Sequence, residues 1–136
     1  FDITFHNLGR PTKVEEIAER EDVPPRFLEQ IFQSLKAAGL VGSKRGPKGG
    51  YFLLRSPETV TIGDVVRAIE GPFEFPCEED TGRGCDASKE VTAAIWVDIA
   101  ARLDAVLDSM TLSELSLRGA TLGIERETNA DFTYVI

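Results

Sequence analysis

The most informative stretch of this 136-residue chain is Ser43-Lys44-Arg45-Gly46-Pro47-Lys48-Gly49-Gly50-Tyr51. It lies between two short runs with β character, Leu40-Val41 and Tyr51-Phe52-Leu53-Leu54. Four Gly and Pro residues within five positions predict a tight, exposed turn. Three cations crowd the tip of this turn, and no carboxylate lies among them. The stretch therefore predicts a basic β-hairpin.

A helical pattern runs from Pro24 to Ala38 directly before the hairpin, and Gly39 closes it. A capping box at Thr12-Lys13-Val14-Glu15 predicts an earlier helix that ends at about Arg20. Two helices followed by a basic hairpin predict a winged helix-turn-helix, which puts a helix in a DNA major groove and a cationic wing on the backbone or minor groove. The buried stripe of the second helix is expected to be Phe27, Leu28, Ile31, Leu35 and Ala38.

The second helix and the hairpin supply the candidate DNA contacts. A glutamine side chain can pair with adenine edges, and a glutamate can accept a hydrogen bond from cytosine N4. The helix alone would be interpreted as a core helix with a solvated face, and the hairpin alone as ordinary turn chemistry, but together they favour DNA binding. The predicted DNA-binding residues are Thr12, Arg26, Glu29, Gln30, Lys44, Arg45, Lys48 and Tyr51.

The net charge of −8 argues against DNA binding only when the chain is taken as a whole. Residues 26–55 hold six basic residues and one acidic residue, a net +5, whereas the other 9 basic and 22 acidic residues leave −13 elsewhere. Because salt screens surface fields beyond about 10 Å, a basic face on an acidic body still attracts phosphate.

The composition bounds the class of protein. The length fits one domain with or without an appendage, and no apolar run is long enough for a membrane span. We see no secretory signal, and two cysteines are too few for a disulfide framework, so we expect a cytoplasmic protein. Helical spacing of Phe1, Phe5 and Leu8 before Gly9 predicts that the first helix begins upstream of residue 1.

Four segments are predicted along the chain. Residues 1–72 form the winged-helix domain, whose last helix starts at Thr61 and stops at Gly71-Pro72. Residues 73–90 are an acidic, Gly-containing loop that holds both cysteines. Residues 91–117 contain a long amphipathic helix and a short following one, and residues 118–136 are a tail whose last residues, Phe132 to Ile136, are weakly strand-like.

The long helix has a wide apolar stripe that predicts a dimer interface, because palindromic DNA sites demand two-fold proteins. Packing against its own domain is the alternative. The stripe comprises Ile95, Trp96, Ile99, Leu103, Val106, Leu107 and Met110.

Seven parts of the sequence resemble the Rrf family of bacterial winged-helix regulators, the IscR, NsrR and CymR type. The resemblance implies a homodimer with crossed long helices, Glu29 and Gln30 at the major groove, and Arg45 in the minor groove. The matching parts are Val14–Arg20, Phe27–Ile31, Leu35–Val41, Arg45–Tyr51, Thr61–Gly71, Trp96 and Thr111–Leu115.

The cysteine loop departs from the members of that family that bind an iron–sulfur cluster. Those members carry three cysteines there, and some add a histidine three residues before the tryptophan. Cys77 and Cys85 match the first two cysteines, whereas the third position is Glu90 and the histidine position is Ala93. Because a cluster usually needs four ligands, we predict no bound metal or cofactor, with Cys77, Cys85 and Glu90 as the candidates if a cluster exists.

The sequence thus predicts a dimeric DNA-binding transcriptional regulator, expected to repress from a pseudo-palindromic operator in response to an unknown small-molecule or protein effector. The alternatives are a regulator that senses iron, redox state or nitric oxide through Cys77 and Cys85, and a module that binds a partner enzyme. No catalytic constellation is evident, so an enzyme is not expected.

Overall fold

The computed structural model describes residues 1–6, 10–73 and 87–126. This part of the chain is mainly helical with one antiparallel hairpin, which confirms the predicted mainly α, winged-helix fold. The elements are α1 (Asp2–Phe5), α2 (Val14–Glu21), α3 (Pro25–Ala37), β1 (Val41–Lys44), β2 (Gly50–Leu53), α4 (Ile62–Glu70), α5 (Ala87–Asp108) and α6 (Leu112–Thr121).

The turn of the helix-turn-helix lies between α2 and α3. Helix α2 ends at Glu21, and its C-cap Asp22 has a left-handed conformation (φ 51°) that Asp adopts more readily than most residues. The Val23 N–H then donates to the carbonyl of Ala18 over 3.1 Å. Helix α3 begins at Pro25, where proline is tolerated because the first N–H groups of a helix have no intrahelical partner.

The core of the winged-helix head corrects part of the predicted stripe of α3. Phe27 is 56% exposed and Ala38 is also exposed, whereas Phe32 is buried. The ring of Phe32 stacks on Tyr51 of β2, with 4.3 Å between ring centroids. Packing of the wing therefore determines which apolar edge of α3 is buried. The buried cluster comprises Ile3, Val14, Ile17, Ala18, Leu28, Phe32 and Val41.

The capping box predicted at Thr12 is wrong. Lys13 is the N-cap of α2 and makes no side-chain capping bond. Thr12 instead pairs with β2, since its N–H donates to the Tyr51 carbonyl (2.9 Å) and its carbonyl accepts from the Tyr51 N–H (2.8 Å). Its hydroxyl donates to the Arg10 carbonyl over 3.2 Å. Pairing with a distant strand has overridden a local capping motif.

Two helix boundaries differ from the predicted segments. Helix α5 starts at Ala87 rather than 91, so Glu90 lies in its first turn and not in a loop. Helix α6 continues to Thr121, so the predicted boundary at residue 118 falls inside a helix. Good helix formers such as Ala, Lys and Glu at 87–90 favour the earlier start. Cys77, Cys85 and Phe132–Ile136 lie outside the described residues.

No helix in the described ranges combines the length and the apolar composition that a bilayer span requires.

Candidate DNA-binding interface

The wing is a hairpin whose strands pair from Val41 opposite Leu53 to Lys44 opposite Gly50. Gly50 has φ 143°, a region that residues with a side chain rarely adopt, and a Cβ at this position would collide with the backbone of Thr12. Only glycine therefore allows β2 to approach the segment before α2 so closely. This approach anchors the wing beside the helix-turn-helix.

A polar groove of about 540 Å³ lies between the start of α2, the exposed face of α3 and the wing. It brings Glu29 of α3 and Lys44 of the wing, both predicted site residues, to one place. Tyr51 lines the same groove while its ring packs on Phe32. The groove is also lined by Lys13, Val14, Glu15, Gln33, Gly46, Gly49 and Gly50.

Six of the eight predicted DNA contacts are exposed, and two are not. Three of these side chains are on α3 and three on the wing, while Tyr51 is half-buried. Thr12 is fully buried at 0% exposure, because its backbone pairs with β2, so we withdraw it as a side-chain contact to DNA. The six exposed residues are Arg26, Glu29, Gln30, Lys44, Arg45 and Lys48.

Two cations of the basic segment have structural partners. The Lys36 Nζ donates to the Ser43 hydroxyl over 2.8 Å and so ties α3 to β1. Arg55, just after β2, pairs with Asp64 of α4 at 2.7 Å. These two cations are therefore engaged within the protein, whereas the exposed cations among the predicted DNA contacts are on α3 and the wing.

Lys13 and Gln33 line the groove but were not predicted as site residues. Lys13 is exposed at the start of α2, where backbone N–H groups that lack a side-chain cap form an anion-binding end. Gln33 follows Glu29 and Gln30 by one helical turn, so it shares their face. Two features of the sequence could have identified them: Lys13 is a cation directly before a helix, and Gln33 is at helical spacing from Glu29 and Gln30.

The predicted dimer stripe of α5 is largely uncovered within one chain. Leu107 and Met110 are half-buried, whereas five large side chains are exposed, and the exposed Val91 extends the stripe by one turn. Such a patch on a helix marks an interaction surface. The five exposed residues are Ile95, Trp96, Ile99, Leu103 and Val106.

Only Glu90 of the three predicted candidate ligands for a cluster lies in the described part of the chain. Glu90 is exposed in the first turn of α5, and Ala93 is half-buried one turn later. Cys77 and Cys85 lie outside the described residues. Among the residues that are described, no group of three or more His, Cys, Asp or Glu side chains could hold a metal ion.

Comparison with known proteins identifies a family for this chain, and that family agrees with the helix-turn-helix, the wing and the long helix. A model of Rrf2, described as an iron-dependent transcriptional regulator, matches residues 1–117. The chain belongs to the Rrf2 family. The resemblance inferred from the sequence is thereby confirmed.

Rrf2 relatives match over most of their length. The chain is 31% identical to the regulator IscR of Vibrio campbellii over 130 residues, which is 96% of this chain and 77% of the relative. IscR of Escherichia coli O1:K1 is 34% identical over 115 residues, covering 84% and 70% of the two chains.

Solved structures give the same assignment. CymR, the global cysteine regulator of B. subtilis, is 35% identical with a TM-score of 0.63, covering 83% of this chain and 82% of CymR. IscR of T. potens is 34% identical with a TM-score of 0.64, covering 85% and 75%. This Rrf2 protein is therefore a DNA-binding transcriptional regulator with a winged helix, and it is not an enzyme.

Proposed function

We propose that the chain acts as a homodimer that occupies a pseudo-palindromic operator and represses transcription by occluding it. Residues 1–72 form the DNA-binding head, the chain then runs into α5 at Ala87, and α5 joins two copies. The exposed polar face of α3 enters the major groove, and the wing contacts the flanking backbone or minor groove.

The observation that carries this proposal is the groove shared by α3 and the wing. Glu29 and Gln33 of α3 face it from one side, and Lys44 and Gly46 of the wing face it from the other. An α-helix fits the major groove of B-DNA, and cations placed beside it position the protein on the phosphates. Base-reading side chains and backbone-binding charges thus lie side by side.

The proposal of a dimer rests on the exposed stripe of α5. Ile95, Ile99, Leu103 and Val106 recur at helical spacing, and each is at least 39% exposed in the single chain. A second copy of the same helix would cover this stripe by two-fold symmetry, and two heads would then read two half-sites. We place the dimer in the cytoplasm, where the chromosomal DNA of a bacterial regulator lies.

Arg45→Ala and Lys48→Ala are expected to weaken DNA binding in different ways. Arg45 reads a base or a narrow minor groove, so its loss should cost about 1–3 kcal/mol on the selected site and less on random DNA. Lys48 contacts phosphate, so its loss should weaken all sequences similarly and lower the salt slope by roughly one unit. Fluorescence anisotropy on a duplex selected from random sequences, titrated with salt, measures both effects.

Arg102→Ala is the matched control for these wing variants. It also removes one positive charge, but Arg102 is on α5 and pairs only locally with Asp98 (2.8 Å). Its affinity and salt slope should match the unaltered protein. The proposed interface is wrong if both wing variants behave like this control, or if no selected duplex shows salt-sensitive binding.

We further propose that this regulator holds no conventional iron–sulfur cluster. Two thiols and the exposed Glu90 are a poor match for the four, mostly thiolate, ligands that such clusters usually have. Protein purified without oxygen should be colourless, and anaerobic iron and sulfide should leave DNA affinity unchanged. Brown, oxygen-sensitive protein whose colour disappears in Cys85→Ala would instead favour a cluster-sensing regulator with Glu90 as a ligand.

A further inference from the structure

Among the described residues, polar contacts join the head to α5 at two separate places, beside the apolar packing of Val60 and Ile62 on Leu112 at the start of α6. The first is a short bridge between Thr61 and Thr111, where the Ile62 N–H donates to the Met110 carbonyl (2.8 Å) and the Leu112 N–H donates to the Val60 carbonyl (2.9 Å). This bridge lies beside the C-terminal end of α5 and the start of α4. Backbone hydrogen bonds at one end of α5 do not by themselves fix the angle between the head and α5.

The second attachment is the side chain of Arg67 on α4. Its Nη1 lies 2.9 Å from Oδ1 of Asp104, and its Nη2 lies 2.5 Å from Oδ1 of Asp108. The two carboxylates are four residues apart on α5, about 6 Å along its axis. A planar guanidinium has donors on both arms and can bind both carboxylates at once, which a lysine ammonium cannot do with the same geometry.

The surroundings of Asp108 fit this arrangement. Oδ1 of Asp108 also accepts from the Thr61 hydroxyl (3.3 Å), and a Cβ on Gly63 would collide with it, so only glycine there lets the carboxylate approach. Hydrogen bonding from Arg67 holds the pKa of Asp108 below its ordinary value. The carboxylate is therefore ionised at neutral pH, and the contact is complete there.

The same cluster reaches the base of the wing. Asp64 lies one turn before Arg67 on α4, 3.6 Å from its guanidinium, and Asp64 also pairs with Arg55 at 2.7 Å. Arg55 lies two residues after the end of β2. Charged contacts thus run from the wing through α4 to α5.

We propose that Arg67 is a positioning residue for operator recognition, because it locks the angle between the head and α5 and thereby sets the spacing between the two half-sites that the dimer reads. The proposal rests on the proposed dimeric function. Exposed ion pairs contribute little to stability, so the effect should appear in geometry and not in the melting temperature. Arg67 is about 31% exposed and its two partners 37% and 46%.

The test is a set of duplexes that carry the two selected half-sites at the selected spacing and at one or two base pairs more or fewer. The unaltered protein should bind the selected spacing best, because each added base pair both translates and rotates one half-site. Arg67→Gln should reduce the preference for that spacing by about threefold to tenfold, while the dimer mass and the affinity for a single half-site stay unchanged. Asp108→Asn should reduce the spacing preference to a similar extent. Combining it with Arg67→Gln should reduce the preference little further, since both substitutions break the same contact.

Arg102→Gln is the control, because it removes an arginine from an ion pair confined to α5. Its spacing profile should match that of the unaltered protein. The proposal is overturned if folded, dimeric Arg67→Gln keeps the full preference, or if it loses affinity equally at every spacing. If Arg67→Gln fails to fold, Arg67→Lys is used in the same test with the same expected result. A monomer, or the absence of any spacing preference in the unaltered protein, would show that the dimeric function itself is wrong.

Discussion

Leu103→Asp is expected to convert the dimer into a folded monomer that has lost specific DNA affinity. Leu103 is in the middle of the exposed stripe of α5 and is 39% exposed in one chain, so a single chain tolerates a charge there. In the proposed dimer the same position is covered by the partner helix, and burying an unpaired carboxylate costs several kcal/mol. A monomer reads one half-site only, so its affinity should fall about a thousandfold, to the level of non-specific binding.

Light scattering at micromolar concentration measures the mass, and circular dichroism verifies the fold. Ala105→Asp is the matched control: it adds the same charge two positions along α5, on the opposite side of the helix, where Ala105 is exposed. It should remain a dimer. A monomeric unaltered protein, or a dimeric Leu103→Asp, would contradict the assignment of this face.

Asp2→Asn is expected to destabilise the head by about 3 kcal/mol, the second large effect. Asp2 of α1 binds Arg20 of α2 through two parallel contacts of 2.8 Å, and the two side chains are only 8% and 10% exposed. Asparagine keeps the shape but removes the carboxylate that accepts two hydrogen bonds from the buried Arg20 guanidinium, and hydrogen bonds to charged groups contribute about 1.5–3 kcal/mol each. The melting temperature should fall by about 10 °C.

Asp98→Asn controls for the loss of an aspartate from an arginine pair. Asp98 and Arg102 are also 2.8 Å apart, but their side chains are 60% and 78% exposed, so the loss should stay within about 1 kcal/mol. Urea unfolding of both variants at one protein concentration gives the comparison. Equal losses would show that burial does not strengthen the contact between α1 and α2.

Three capping motifs in the sequence show when a local motif predicts the start of a helix correctly and when it does not. Thr61 with Asp64 and Thr111 with Glu114 form complete capping boxes at the starts of α4 and α6, as the motif predicts. Thr12 carries the same motif but pairs with Tyr51 of β2 instead. The motif describes only its own four residues, so it cannot indicate that a strand 39 positions later takes the backbone.

The wing was predictable because its turn chemistry is local, whereas the contacts that orient it were not. Phe27 and Phe32 both fit an apolar edge of α3, and the choice between them depends on where Tyr51 packs. The Arg67 cluster joins residues about 40 positions apart, and charged residues on exposed helices give no pairing signal in sequence. The apolar stripe of α5 was predictable from its spacing, its exposure in the single chain was not, and what covers it is a proposal.

Binding to a selected duplex in which one half-site has been scrambled tests the account most directly. Two copies of the chain should bind the intact duplex, as measured by the mass of the complex in light scattering. Scrambling one half-site removes several base contacts, each worth about 1–3 kcal/mol, so the affinity should fall by at least about a hundredfold. Equal affinity for the intact and scrambled duplexes, or one chain per intact duplex, would contradict a dimer that reads two half-sites through α3 and the wing.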